Sequence, residues 1–323
     1  MDDHVTHEDL AAFAERVVNL PVDDAADGRE RVDHLRDRLE NFIDENPAFD
    51  LVKMLHAGSV AKGTGLSTLN DMDVAVYVTR AKAPEGNERL VSWLVERLRE
   101  AFAGVLDPSQ ITPGVHCATV EYKSGKLRKV DVVPILYEGD PQDRGYLVAQ
   151  DTGEHMLTSV RLHLDFVRSR KKAHPRHFAQ VIRFGKWWVR QQKLEDGAFR
   201  FKSFMVELMT SSLVDRDLIT PGDYPEALQA FFAYIVKSGL HERIAFTDYY
   251  PLSAIATSAA PIQVFDPVNP ENNVAYRYTE LDRTRIVEAA DRALSAIIEA
   301  RFADTKERAV QQWRQVLGPS LRP

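Results

Sequence analysis

One stretch, His56–Val78 (HAGSVAKGTGLSTLNDMDVAVYV), constrains this chain more than any other. It joins a Gly58-Ser59 turn to a Lys-, Gly- and Thr-containing segment able to open a helix. A strand follows, beginning Asp71-Met72-Asp73 and continuing through Val74, Val76 and Val78. Alternate side chains of a strand share a face, so Asp71 and Asp73 point one way and Met72 the other. Two carboxylates about 4 Å apart at an effective dielectric near 20 repel by ~4 kcal/mol, a cost that divalent cations reverse. A strand with two acids on one face predicts a metal site.

A second sequence signal bears on that site. Residues 115–122 and 127–136 alternate as paired strands around a Ser124-Gly125 turn. The second strand, within LRKVDVVPIL, carries Asp131 inside an apolar β-branched run. An unpaired charge there is costly; Asp131 either points to solvent at the strand end or joins the other two carboxylates. Three carboxylates on adjacent strands can hold two Mg²⁺ ions about 3.5–4 Å apart, one on a triphosphate and one lowering the pKa of an attacking hydroxyl. The Gly58-Ser59 turn would offer backbone N–H groups and a hydroxyl to a phosphate tail, although a Ser helix cap is the plainer reading. A Walker loop is excluded, because Gly58 to Thr64 lacks the Gly-Lys-Ser/Thr ending.

The rest of the chain supplies the frame. The spacing predicts helices over 7–20, 28–46 (Val32, Leu35, Leu39, Phe42 and Ile43 inward) and 87–102. From residue 156 the pattern is helical: 158–172, 174–193, 201–214, 224–238, 279–301 and 304–316. Residues 139–155 read as a polar connecting loop, and 248–275 as irregular. A β-rich part followed by a helical part predicts an α+β protein of two lobes, 1–155 and 156–323, with a cleft between them and N-terminal helices able to pack on both. The charge of −7 argues against a general polyanion binder. Cys117, the single cysteine, excludes an internal disulfide framework. Neither a signal-peptide pattern nor a run of 18 apolar residues occurs, so a cytoplasmic protein without membrane segments is expected.

The Gly-Ser turn, the Asp-x-Asp strand and the later Asp resemble the nucleotidyltransferase superfamily with the DNA polymerase β-like fold. The resemblance implies that Asp71 and Asp73 coordinate both metals and that Asp131 binds one of them and helps activate the acceptor hydroxyl. Gly58, Ser59 and neighbouring amides would hold the β- and γ-phosphates. Lys186 in VIRFGKWWVRQQK, Lys202-Ser203-Phe204 in FKSFMVELM, and the turn from Asp266 to Asn273 are similar to the second lobe of the oligoadenylate synthase and cyclic GMP-AMP synthase branch. Its bacterial members are the CD-NTases of CBASS antiphage systems, here closest to the HORMA-associated group. The resemblance implies a helical lobe in which Lys186, Lys202 and Ser203 meet the triphosphate and Phe204 stacks on the donor base. It also implies Mg²⁺ (or Mn²⁺) as cofactor, ATP as favoured substrate, a cyclic oligonucleotide messenger as product, with cyclic tri-AMP preferred, and a HORMA-domain activator.

Plainer readings stand beside these. Lys186 alone reads as a solvated helix residue, Ser203 as a cap, Phe204 as core, and Trp187 and Trp188 as packing. His56 reads as a packed strand residue. Arg168, Arg170, Lys171, Lys172, Arg176 and Arg190 form a basic band within 168–193, either a solvated face or a contact for DNA or an acidic partner. One cysteine cannot build the zinc-bearing DNA sensor of the animal enzyme. A linear or group-transferring nucleotidyltransferase acting on RNA, protein or a small molecule would share the carboxylates, and an inactive binding module is the reading from another class.

Overall fold

The computed structural model describes residues 4–45, 51–79, 83–84, 89–149 and 153–322. A capping box starts the first helix, α1 (His7–Phe13): the Asp9 N–H donates to the Thr6 hydroxyl at 3.3 Å and the Thr6 N–H to the Asp9 carboxylate at 3.0 Å. The chain then widens into a π-helical turn, Ala14–Val18, and stops short of Pro21, whereas the sequence predicts one plain helix over 7–20. α2 (Val22–Glu45) starts six residues earlier than the 28–46 pattern suggests, and Asn46 lies outside the described residues. Val32, Leu35 and Leu39 are buried, as their spacing requires.

Strands and three further helices make up the described remainder of the β-rich part. In chain order these are β1 (Leu51–Ala57), α3 (Gly58–Lys62), β2 (Asp71–Thr79), α4 (Leu90–Ala101), β3 (Ile111–Pro113), β4 (Ala118–Glu121), β5 (Lys129–Tyr137), β6 (Gly145–Val148), β7 (His155–Thr158) and the start of α5 (Val160–Ala173). The start predicted for α4, at 87, lies outside the described residues. The strand order is β1-β2-β5-β4-β3; β6 adds to the far end of β5, and β7 pairs with β6. β2 and β5 run parallel and the other pairs are antiparallel. Residues 139–155 are therefore not a simple connecting loop: Gly145–Val148 and His155 onward form a hairpin on the sheet. Its strands are four residues each, too short for the alternating pattern to register.

β2 is apolar on two faces for two reasons. Met72, Val74, Val76 and Val78 are buried in one core with Val32, Leu35 and Leu39 of α2 and Leu90, Leu94 and Leu98 of α4. On the opposite face, Asp71 and Asp73 give way along the strand to Ala75 and Tyr77, which form a smaller core with Ile135 and Val160. The Tyr77 hydroxyl donates to the Asp143 carbonyl and accepts from the Val160 N–H, each at 3.2 Å, tying the strand to the start of α5.

The chain divides into two compact units, one of Leu20–Asp165 and one of Met1–Asn19 with Phe166–Pro323. The division falls within α5, ten residues beyond the 155/156 boundary drawn from sequence, and assigns the N-terminal segment to the second unit. That unit contains α6 (His177–Glu195), α7 (Ser203–Asp215), α8 (Tyr224–Ser238), α9 (Glu280–Arg301) and α10 (Lys306–Leu317). α1 is held there: His7 stacks on Tyr224 with ring centroids 4.1 Å apart, and Lys306 meets Asp9 at 3.0 Å. Among the described residues no helix is long and apolar enough to cross a membrane.

Candidate active site

Asp73 and Asp131 are direct partners across the parallel β2–β5 pair. Neighbouring strands are about 4.8 Å apart, so the two carboxylates share one spot on one face, with Asp71 two residues back on the same face. Burial first, and then the charges of Asp71 and Asp131, push the Asp73 carboxyl up to about 6, against an opposing pull from Lys62. Burial and the Asp131 charge likewise raise Asp71, against Lys129. Burial and mutual repulsion both disfavour the ionised forms of Asp71 and Asp73.

The Gly58 turn closes the site on the β1 side. Ala57 is the register partner of Asp73, and Gly58 follows with φ +65°, opening α3. A Cβ on Gly58 would lie 1.7 Å from Asp73 Oδ2; only glycine fits both the backbone and the space. Ser59 is in the first turn of α3, and Gly63, at φ 71°, ends the helix. The Lys62-Gly63-Thr64 segment thus closes this helix, whereas the sequence suggests that it opens one.

On the other side β4 supplies Thr119, the partner of Asp131. Its hydroxyl donates to Asp131 Oδ1 at 2.6 Å. Cys117, two residues earlier, has its Sγ 3.9 Å from the Thr119 hydroxyl; burial and the Asp131 charge push its thiol up to about 11, so it stays neutral. Sequence reasoning missed Thr119 and Lys62. The hairpin held the signal for Thr119, because Thr119 and Asp131 each stand six residues from Gly125. His56 pairs with Val74, on the face away from the carboxylates, and its Nε2 lies 3.6 Å from Asp33 of α2.

The residues predicted on the helical side differ in setting. Lys202 and Ser203 are exposed at the start of α7, and Phe204 is half-buried. Lys202 is anchored twice: its N–H donates to the Tyr278 hydroxyl at 2.8 Å and its Nζ to the Val274 carbonyl at 3.1 Å. Burial, with Arg277 and Arg200 nearby, lowers its pKa. The segment that anchors it is shaped by the Asp266–Asn273 turn. There the Asn273 amide accepts the Val264 and Ala275 N–H groups and donates to the Ile262 carbonyl, while Asp266 accepts from Val268. Lys186 is not a solvated helix lysine: it is 5% exposed, and its Nζ lies 3.6 Å from Glu207, itself 2% exposed. Trp187 and Trp188 are buried. The basic band is broken at Arg170, which is buried, stacked 3.8 Å over Phe166 and paired with Asp215 and Asp248. Arg190 lies over the Trp187 ring.

The donor set suits hard divalent cations, because Asp71, Asp73 and Asp131 offer oxygen ligands only. Among the described residues no three His, Cys, Asp or Glu side chains form a ready-made cage for one ion.

A mixed sheet bearing these acids beside a Gly-Ser turn, joined to a helical unit, defines a nucleotidyltransferase. The chain is 46% identical over 320 residues, 99% of each chain, to the cyclic AMP-AMP-AMP synthase of Escherichia coli strain MS 115-1. It is 27% identical over 326 residues, 98% of each chain, to the CBASS oligonucleotide cyclase CdnC of E. coli strain KTE188. The solved structure of E. coli MS115-1 CdnC with ATP matches at a TM-score of 0.92 and 46% identity, covering 99% of this chain and 100% of that one. The same protein in complex with HORMA-deltaN also matches at 0.92. No protein-family model matches the chain. The chain belongs to the CBASS oligonucleotide cyclases, the bacterial CD-NTases that make cyclic oligonucleotides.

Proposed function

We propose that the chain condenses three ATP molecules into cyclic tri-AMP with release of three pyrophosphates. The observation that carries the reading is the in-register pair Asp73 and Asp131 with Asp71 on the same face; the product and substrate are those in the names of the 46%-identical relatives. In each round a ribose hydroxyl of one nucleotide attacks the α-phosphorus of another; an O–P bond forms, the bond to pyrophosphate breaks and the hydroxyl proton leaves. The third round closes the ring.

Asp71, Asp73 and Asp131 are the residues that would hold Mg²⁺, with Mn²⁺ as substitute. Bound there, two such ions would supply positive charge to the attacking and leaving oxygens. Asp131 would orient the attacking hydroxyl and accept its proton. Gly58 gives the phosphates close approach and Ser59 donates its hydroxyl. On the helical unit Lys202, Ser203 and Lys186 are the proposed triphosphate contacts, and Phe204 is the proposed platform for the donor base. A HORMA-domain protein is the proposed partner, by analogy with the complex of the relative.

The test is incubation of the purified protein with α-labelled ATP and Mg²⁺, with and without its genome-neighbour HORMA protein, followed by phosphatase. A phosphatase-resistant product that co-migrates with cyclic tri-AMP is expected. Phosphatase-sensitive or macromolecule-bound label would overturn the reading.

A further inference from the structure

Acids that must hold cations face a geometric difficulty. A carboxylate on a strand can swing among rotamers, and when two neighbours repel it the swing carries it out of the site. Asp73 is hemmed in by the Gly58 turn, where a Cβ would stand 1.7 Å from its Oδ2. For Asp131 the side chain directly beside it on β4 is Thr119. The contact is short, 2.6 Å from hydroxyl to Oδ1, the length expected when a hydroxyl donates to an ionised oxygen.

We propose that Thr119 is a positioning residue for catalysis: by donating its hydroxyl to Oδ1 it locks the Asp131 carboxylate into the orientation that receives the cation and the acceptor hydroxyl. A neutral donor is the chemistry this place requires. A lysine or arginine on β4 would hold Asp131 as firmly but would neutralise it and compete with the cation. A valine would have the same shape and leave the carboxylate to swing. Threonine fixes the direction and keeps the charge. Its β-branched side chain also suits a strand and has few rotamers of its own. Such outer partners of metal-binding carboxylates typically contribute about 10–100-fold in metal affinity or activity.

The inference rests on the assignment of Asp131 as a cation ligand. The test therefore begins with Mn²⁺ binding to the full-length wild-type protein, followed by electron paramagnetic resonance without nucleotide and with a non-hydrolysable ATP analogue. Thr119→Val keeps the shape and removes the donor, Thr119→Ala removes the donor with no risk of overpacking, and Thr119→Ser restores it. The expected result is a roughly 10–100-fold weaker Mn²⁺ affinity in the Val and Ala variants. Their kcat should fall, with a raised Mg²⁺ requirement and a KM for ATP within about two-fold of wild type, while Ser stays within about three-fold of wild type in every measurement. Circular dichroism and melting curves report whether each variant is folded. Wild-type Mn²⁺ affinity retained by folded Val and Ala variants, or a Ser variant as impaired as Val, would overturn the role of Thr119 alone. A wild-type protein that binds no Mn²⁺ in either state would overturn the assignment of Asp131 as well.

Discussion

Gly58 and Asp73 occupy the same space to within one methyl group: a Cβ on Gly58 would stand 1.7 Å from Asp73 Oδ2. The turn therefore sets the rotamer of the acid, and the acid forbids any side chain on the turn. Gly58→Ala would have to move the carboxylate or the turn and would also place a non-glycine residue at φ +65°. The backbone cost is about 1–2 kcal/mol. A displacement of about 1 Å at reacting groups can lower rate about 100-fold. The expected outcome is a folded protein, melting a few degrees lower, that makes at least 100-fold less product in the labelled-ATP assay.

Asp73→Asn should separate stability from activity. Burial with the Asp71 and Asp131 charges raises the folded-state pKa of Asp73 to about 6, above its unfolded value near 4. The folded state then binds more protons than the unfolded state between these values, so stability falls as pH rises through this window, and the full penalty is present above pH 6. A discount for the solvent that reaches this partly exposed side chain leaves a penalty of about 1–2 kcal/mol at pH 7.5. In EDTA the Asn variant should melt higher than wild type at pH 7.5 and equally at pH 4. Mg²⁺ with ATP analogue should stabilise the wild type and not the variant, and the variant should make no product. An Asn variant that melts lower than wild type in EDTA at pH 7.5 would contradict the repulsion argument.

The parts of the site legible in the sequence are those with a local rule. Alternation placed Asp71 and Asp73 on one face, and the hairpin around Gly125 paired the strand of Asp131 with β4; the parallel pairing that sets Asp131 beside Asp73 joins distant segments and follows no local rule. The spacing of Val32, Leu35 and Leu39 identified a core-facing helix stripe. Features set by tertiary packing were not legible. Lys186 reads as a surface residue because its partner, Glu207, is on another helix and both are buried only once α6 and α7 pack. Arg170 sits in a run of surface-like basic residues, yet Asp215 and Asp248, 45 and 78 residues away, withdraw it from the surface. The short hairpin of β6 and β7 lacks the length that makes a period visible.

The Asp266–Asn273 turn predicts a stability effect that reaches Lys202. Asn273 is 4% exposed, and its amide serves two backbone N–H groups and the Ile262 carbonyl. Each buried group left without a partner costs about 1–3 kcal/mol. Asn273→Ala should therefore lower stability in urea by about 2–4 kcal/mol, with Asn273→Asp between it and wild type because the carboxylate still accepts both N–H groups. Val274 and Tyr278, which anchor Lys202, stand one and five residues further along the chain. The Ala variant should also raise the KM for ATP several-fold under conditions where it remains folded.

Lys186 and Glu207 allow a structural role to be separated from a substrate role. The two are 5% and 2% exposed with 3.6 Å between Nζ and Oε2. Removing one charge from a buried pair costs about 3–5 kcal/mol, whereas replacing both by apolar side chains is often neutral. Lys186→Met and Glu207→Leu should each lower the melting temperature sharply, and the double variant should regain most of it. If Lys186 serves only the fold, the KM for ATP recovers with stability. If it also faces the triphosphate, as proposed, the double variant folds but keeps a KM for ATP raised about ten-fold or more, equivalent to one lost charge-assisted hydrogen bond of about 1.5–3 kcal/mol. Recovery of both stability and KM would restrict the triphosphate contacts on this unit to Lys202 and Ser203.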